Sequence, residues 1–353
     1  MKKYLVLLLL FLGLFVLAGC KKDTYTIALI TDLGNIDDQS FNQGAWEGIK
    51  AYVDGVKEDK PTYKYYQPAE GTDDAYLASI DLAVQNGAKV VVTPGYLFET
   101  AVNLGQTKYP DVKFIILDAS PTGAENGTIE DNTYSIFYAE EQAGYLAGYA
   151  IVKDGYTNLG FMGGVAVPAV VRFGHGFVIG ADAAAQELEV EITIQYQYAE
   201  TFNASIDVKT KAETMYNSGV EVIFACGGSI GQSVMAAAGT TKKVIGVDVD
   251  QSGNNENVIT SATKELGASV KDALTLYFNN EWEKIGGKSV ILDAAQGGVG
   301  LPMDTSRFAT FTKADYDVVF KKLVDGDIVI DDKADTKDVA NVVVSTFTTV
   351  TKK

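Results

Sequence analysis

Residues 26–52 read TIALITDLGNIDDQSFNQGAWEGIKAY. A short apolar and β-branched run is followed by a loop of Asp, Gly and Asn, then by an amphipathic stretch. That is a strand, a turn and a helix, the unit from which parallel sheets with crossover helices are built. The same alternation continues outward. Further candidate strands are YKYYQ (63–67), AKVVVTP (88–94), VKFIILD (112–118), NLGFMGG (158–164), EITIQYQY (191–198), EVIFACGG (221–228) and KVIGVD (243–248). Helices are expected over 40–53, 74–85, 140–152, 170–187, 204–217 and 230–238. The class is α/β.

Two sets of about four strand-and-helix units, separated near residues 133–140, predict two similar doubly wound, Rossmann-like lobes. At the break, TYSIFYAEEQAGYLAGYA (133–150), an extended run gives way to a helix whose small residues Ala143, Gly144, Ala147 and Gly148 permit close packing. Downstream, VITSATKELGASVKDALTLYF (258–278) reads as a strand and a long helix. The glycines of GGKSVILDAAQGGVGLP (286–302) suit a hinge crossing and equally a surface loop. The tail DDKADTKDVANVVVSTFTTVTKK (331–353) has no clear place.

At the amino terminus, Lys2 and Lys3 precede an unbroken apolar run from Tyr4 to Ala18, and small residues lead to Cys20. This is the layout of a secretory signal over residues 1–19. The run is shorter than the ~20 residues of a spanning helix, and no later segment approaches that length. The string Val16-Leu17-Ala18-Gly19-Cys20 is similar to a bacterial lipobox, whose cysteine is acylated and becomes the new amino terminus. The bland alternative is an ordinary signal with an incidental cysteine. Cys226 is the only other cysteine, so it has no disulfide partner in the mature chain and reads as a buried structural thiol.

From Cys20 onward there are about 334 residues, more than one core usually organises. Without Lys2 and Lys3, 27 basic side chains face 46 acidic ones, a net of −19. Such a surface repels nucleic acid. Arg172 and Arg307 are the only arginines, which argues against a strongly anionic ligand.

In open α/β sheets ligands bind beyond the carboxyl ends of strands, where helix amino termini converge. Asp32 directly follows the first strand with no helix to cap, whereas Asp37 or Asp38 can cap the next helix. Phe41 and Asn42 lie in that helix's first turn. Periodicity leaves Phe41 open between core packing with Trp46 and a place facing the cleft. Phe202 follows a strand; it is either a staple residue before Asn203 or a cleft residue. Asp118 and Asp248 end apolar strands, where a carboxylate is unusual unless it faces a polar cleft. Asp250 is an alternative to Asp248 or a plain loop residue. Gly227 and Gly228 mark a tight turn that also brings backbone amides near the cleft.

The stretch DLGNIDDQSFNQGAWEGI (32–49) resembles the signature of the basic membrane protein family of lipoproteins, the purine-nucleoside-receptor group among ABC-transporter solute-binding proteins. The likeness continues through IILDAS (115–120), SIFYAEEQAGYLAGYA (135–150), LGFMGG (159–164) with the later proline and arginine, and FGHGFVIGA (173–181). It runs on through ETFNASIDVKTKAETMYNSGVEVIFACGGSIG (200–231), IGVDVDQ (245–251), VITSATK (258–264) and GGVGL (297–301), covering nearly the whole mature chain.

The resemblance implies a type I periplasmic-binding-protein fold with three hinge crossings: a lipidated anchor and linker over 20–24, one lobe from 25–138 and 258–288, the other from 139–257 and 289–353. It implies a purine sandwiched between Phe41 and Phe202. Asp32, Asn42 and Asp118 would read the base edge or sugar; Asp248, Lys264 and the backbone around Gly228 would hold the ribose hydroxyls. Only the family pattern promotes Lys264, since a lone lysine at a helix start is usually solvated. The implied partners are a nucleoside, an ABC permease with its ATPase, and a membrane surface reached through Cys20, with the protein a monomer on the extracytoplasmic face.

The residue types suit such a ligand on their own terms: aromatics for a flat π face, carboxylates and amides for ring edge and hydroxyls. One histidine, His175, and two cysteines leave no Cys/His pair or zinc cluster, and no nucleophile-elbow or phosphate-loop motif occurs. No cofactor and no catalytic residue is expected. The competing readings are a binder of sugars or other hydroxylated solutes, a ligand sensor, and a nucleoside hydrolase working through carboxylates.

Overall fold

The computed structural model describes residues 24–331 and 338–353; the signal segment 1–19 and Cys20 lie outside the described residues. The first sheet contains β1 (Ile27–Ile30), β2 (Tyr63–Tyr66), β3 (Val90–Pro94), β4 (Lys113–Leu117), β5 (Thr133–Tyr138) and β11 (Lys288–Leu292), in the order β11-β5-β4-β3-β1-β2. Every pair in it is parallel. The second sheet contains β6 (Asn158–Gly163), β7 (Ile192–Tyr198), β8 (Val222–Cys226), β9 (Lys243–Asp248), β10 (Val258–Lys264), β12 (Val299–Gly300) and β13 (Thr348–Lys352), ordered β12-β10-β9-β8-β6-β7-β13. Only the β10–β12 pair is antiparallel. The central strands β1, β3 and β8 are buried at every position, as strands covered by helices on both faces must be.

The helices are α1 (Phe41–Gly55), α2 (Asp73–Gln85), α3 (Glu99–Lys108), α4 (Glu140–Lys153), α5 (Pro168–Leu188), α6 (Ile206–Asn217), α7 (Ile230–Ala238), α8 (Leu266–Phe278) and α9 (Lys313–Val324). The two-lobed type I architecture therefore stands. The chain crosses between lobes after β5, after β10 and between β11 and β12.

The expected lobe boundaries shift at two places. Val258–Lys264 belongs to the second sheet, where Ala262 and Thr263 pair with Val247 and Asp248 of β9. Lys288–Leu292 belongs to the first, where Val290 pairs with Ile136. The crossing falls after Lys264 because the strand finds its parallel partner in β9, and only α8 returns to pack on α1. Helices α3 and α9 add to those the sequence pattern predicts, and the tail supplies an edge strand, β13, parallel to β7.

The small residues of α4 meet those of α5. A Cβ on Gly144 or Gly148 would run into the carbonyl oxygens of Phe173 or Phe177, and one on Gly176 or Gly180 into those of Glu141 or Tyr145. Backbone touches backbone, and the start of α5 is thereby held at the cleft.

Candidate functional site

The carboxyl ends of both sheets face one interlobe cleft. Asp32, Phe41, Asn42, Asp118, Phe202, Gly228, Asp248 and Lys264 all line it, together with Asp38, Tyr96, Val167 and Phe173.

On the first lobe, Asp38 caps α1. Its Oδ1 accepts from the backbone N–H of Ser40 and Gln43 at 2.9 and 3.0 Å, and its Oδ2 from Asn42 at 3.0 Å. The same Oδ2 accepts from Asn42 Nδ2 at 3.2 Å, while Asp32 Oδ1 accepts from Asn42 Nδ2 at 2.7 Å and from the Gly34 N–H at 2.6 Å. Both amide hydrogens of Asn42 are thus committed inside the protein. Asn42 positions Asp32 rather than presenting its own donors. Burial raises the pKa of Asp32 above the usual carboxylate range against its hydrogen bonds, and pushes Asp38 up to about 6.

Phe41 and Phe202 are half-buried, one from each lobe. Phe41 packs beside Gly95, where a Cβ would stand 3.6 Å from its Cε1, and the Lys264 ammonium lies 4.5 Å from its ring centre. Phe202 sits in a seat of glycines. A Cβ on Gly164 would overlap its Cδ1, and one on Gly227 would lie 2.9 Å from it. Its carbonyl accepts from the N–H and Oγ of Ser229 at 2.9 and 3.1 Å, so the Gly227–Gly228 turn fixes backbone and ring together. Ser205, not Asn203, caps the following helix.

Lys264 is buried, 5% exposed. Its Nζ lies 2.5 Å from Asp118 Oδ2, 3.2 Å from Asp248 Oδ1 and 3.6 Å from Glu140 Oε1. Arg172 Nε donates to Glu140 Oε2 at 2.6 Å. Burial alone would lower the Lys264 pKa, but the three carboxylates outweigh it and hold the ammonium charged. Burial would raise Glu140, but Arg172 and Lys264 bring it below the usual range, with help from a hydrogen bond to Asp118. Asp118 is pushed up to about 7, chiefly by burial, with Lys264 opposing and Glu140 adding to the rise. Burial and Glu140 thereby favour a proton on Asp118, which quiets repulsion between two adjoining buried carboxyls.

Glu140 and Arg172 join the site without a motif that marks them. Their signal was faint: one of only two arginines, and an acidic pair opening a helix. Asp250 lies apart from the cleft lining, accepting from Thr305 Oγ1 at 2.6 Å and the Ser252 N–H at 2.9 Å. Cys226 is buried, its thiol pKa raised by burial, and His175 lies on α5 with its pKa lowered by burial. Among the described residues no group of three or more His, Cys, Asp or Glu is placed to hold a metal ion.

Two doubly wound lobes joined by three crossings, with a polar and aromatic cleft between their strand ends, define a solute-binding protein of the type I periplasmic class. Its fold matches an ABC transporter system solute-binding protein from Aeropyrum pernix K1 with a TM-score of 0.74 at 19% identity, covering 87% of this chain and 93% of that one. The chain belongs to the family described as ABC transporter substrate-binding protein PnrA-like, which matches residues 25–333. Similar relatives include the ABC transporter nucleoside-binding protein BmpA of Lactococcus lactis, 31% identical over 90% of this chain and 95% of the relative. Another is basic membrane protein B of Borreliella burgdorferi, 29% identical over 84% of this chain and 86% of the relative. The family is one of binding proteins, not enzymes. Among the described residues no helix is long and apolar enough to cross a membrane.

Proposed function

We propose that this chain captures a purine nucleoside between its lobes and delivers it to an ABC importer, held at the extracytoplasmic face by a lipid on Cys20. The observation that carries this reading is the pair of half-buried rings, Phe41 and Phe202, that line one cleft from opposite lobes beside buried carboxylates. Stacking contributes about 1–3 kcal/mol per aromatic face, so two faces supply a good part of the ~8 kcal/mol of a micromolar complex. Asp32, oriented by Asn42, reads the base edge. Asp118, Asp248 and Lys264 hold the ribose hydroxyls with groups whose charges largely cancel, as a neutral ligand requires. Because the ligand touches both lobes, it favours the closed form by its differential affinity.

Thermal-shift screening against purine nucleosides, free bases and simple sugars tests this reading. A ligand at 100 times its Kd adds about 2.7 kcal/mol. Stabilisation by inosine, guanosine or adenosine supports it; stabilisation by sugars alone refutes it. Mixing with inosine over many binding cycles must return it uncleaved, and accumulating free base or ribose would turn the binder into a hydrolase.

A further inference from the structure

Ser40 stands at the N-cap of α1, yet its side chain makes no capping bond. Asp38 performs that task, so the Ser40 hydroxyl is released for another partner. It donates across the cleft to Asp248 Oδ2 at 2.5 Å, with Ser40 fully buried and Asp248 5% exposed. The preceding residue does the same with its backbone. Gln39 has a left-handed φ of 59°, unusual for a side-chain-bearing residue, and its carbonyl accepts from Gln251 Nε2 of the second lobe at 2.8 Å. Gln251 is itself buried and tied down, its N–H donating to Ser261 Oγ at 3.0 Å. Close by, Gly44 brings α1 so near the second lobe that a Cβ there would lie 2.9 Å from Val249 Cγ1.

Two consecutive residues of one loop therefore reach two residues of the other lobe, and neither bond needs a ligand. We propose that Gln39 and Ser40 form an interlobe latch with Gln251 and Asp248 that stabilises the closed form and orients the Asp248 carboxylate. Ser40 is a positioning residue: Lys264 holds one Asp248 oxygen and Ser40 the other, which fixes how the carboxylate is turned. A latch of this kind acts mainly on release, because the bonds must break before the cleft opens. The inference rests on lobe closure as read above, but not on the identity of the ligand.

The test compares Ser40→Ala, Ser40→Thr and Gln251→Ala in the mature chain by stopped-flow release of inosine and by small-angle scattering of the ligand-free protein. Ser40→Ala and Gln251→Ala are expected to release inosine at least tenfold faster, with association within threefold of the parent, and to show a larger ligand-free radius of gyration. Ser40→Thr, which keeps the hydroxyl, restores both. Unchanged release and radius in Ser40→Ala and Gln251→Ala overturn the latch. Gln251→Ala touches no helix cap, so it decides the matter alone if Ser40→Ala fails to fold. If the parent ignores inosine while Ser40→Ala still expands the free protein, the latch stands and the nucleoside reading falls.

Discussion

Asp118 and Asp248 end the corresponding strands of the two lobes, both in left-handed backbone with φ of 58° and 68°, and their carboxylates meet on one ammonium, Lys264, at 2.5 and 3.2 Å. Each follows or closes the fourth strand of its five-strand parallel core, β4 and β9. A non-glycine residue in that conformation costs of order 1 kcal/mol, and aspartate tolerates it better than most. The strain turns both side chains from their sheets toward the floor of the cleft. The pseudo-symmetry extends one strand further: Lys264 closes β10, Tyr138 closes β5, and the ammonium lies 5.5 Å from the tyrosine ring.

Removing a ring or a floor carboxylate should weaken binding without unfolding the protein. Phe41→Ala and Asp248→Ala are each expected to raise the inosine Kd at least tenfold, about 1.4 kcal/mol, by calorimetric titration. Circular dichroism should remain that of the parent. Unchanged affinity in both variants removes the site while leaving the fold.

The glycine seat predicts a mutation that never touches ligand. Gly164→Ala places a methyl where the Phe202 ring lies, so the ring must leave its seat. Affinity should fall about tenfold, and adding Phe202→Ala to this variant should cost little more, since the ring is already displaced. Full additivity of the two changes would contradict the seat.

Stability should rise as pH falls from about 8 toward 5. A carboxyl whose folded pKa is raised binds a proton more tightly when folded, so its contribution is complete below its unfolded pKa and is lost as pH rises through the folded one. Asp118, at about 7, and Asp38, at about 6, set this window. Glu140, pulled below the usual range, acts oppositely but only at lower pH, and His175, lowered by burial, opposes in the acid half of the window. Urea unfolding against pH checks the sum. Asp118→Asn keeps a donor for Glu140 but cannot titrate, and should flatten the slope near pH 7; an unaltered slope would refute the assignment.

Gly148→Ala should destabilise by about 2 kcal/mol or more, because the methyl would run into the Phe177 carbonyl and force α4 away from α5. Denaturant unfolding measures this. A midpoint equal to the parent's would mean that the helices separate cheaply.

The central strands and the helices around residues 140–153 and 168–188 were readable because continuous apolar runs and small-residue spacing act locally. Both tryptophans pack within the first lobe, Trp46 with its ring centre 5.1 Å from that of Tyr63 and Trp282 donating to the Asp131 carbonyl at 2.8 Å. Lys264 was opaque without the family likeness, because its burial depends on carboxylates at 118, 140 and 248 that only the folded chain assembles. The proton allocation of Asn42 is equally invisible in one dimension. Helix α9 does carry a local signal: Thr312 and Asp315 form a capping box, and Tyr316, Val319 and Leu323 make its buried face. Strand β13 had none, since an edge strand of Thr and Val is specified by its distant partner β7.

Calorimetric titration of inosine into the mature protein, beside ribose and uridine, bears most directly on the proposal that a purine is gripped between Phe41 and Phe202. One site per chain with micromolar or tighter affinity for inosine, much weaker binding of ribose and loss in the Phe41→Ala, Phe202→Ala double variant would bear it out. Ribose binding as tightly as inosine, or inosine binding undiminished without both rings, would contradict it.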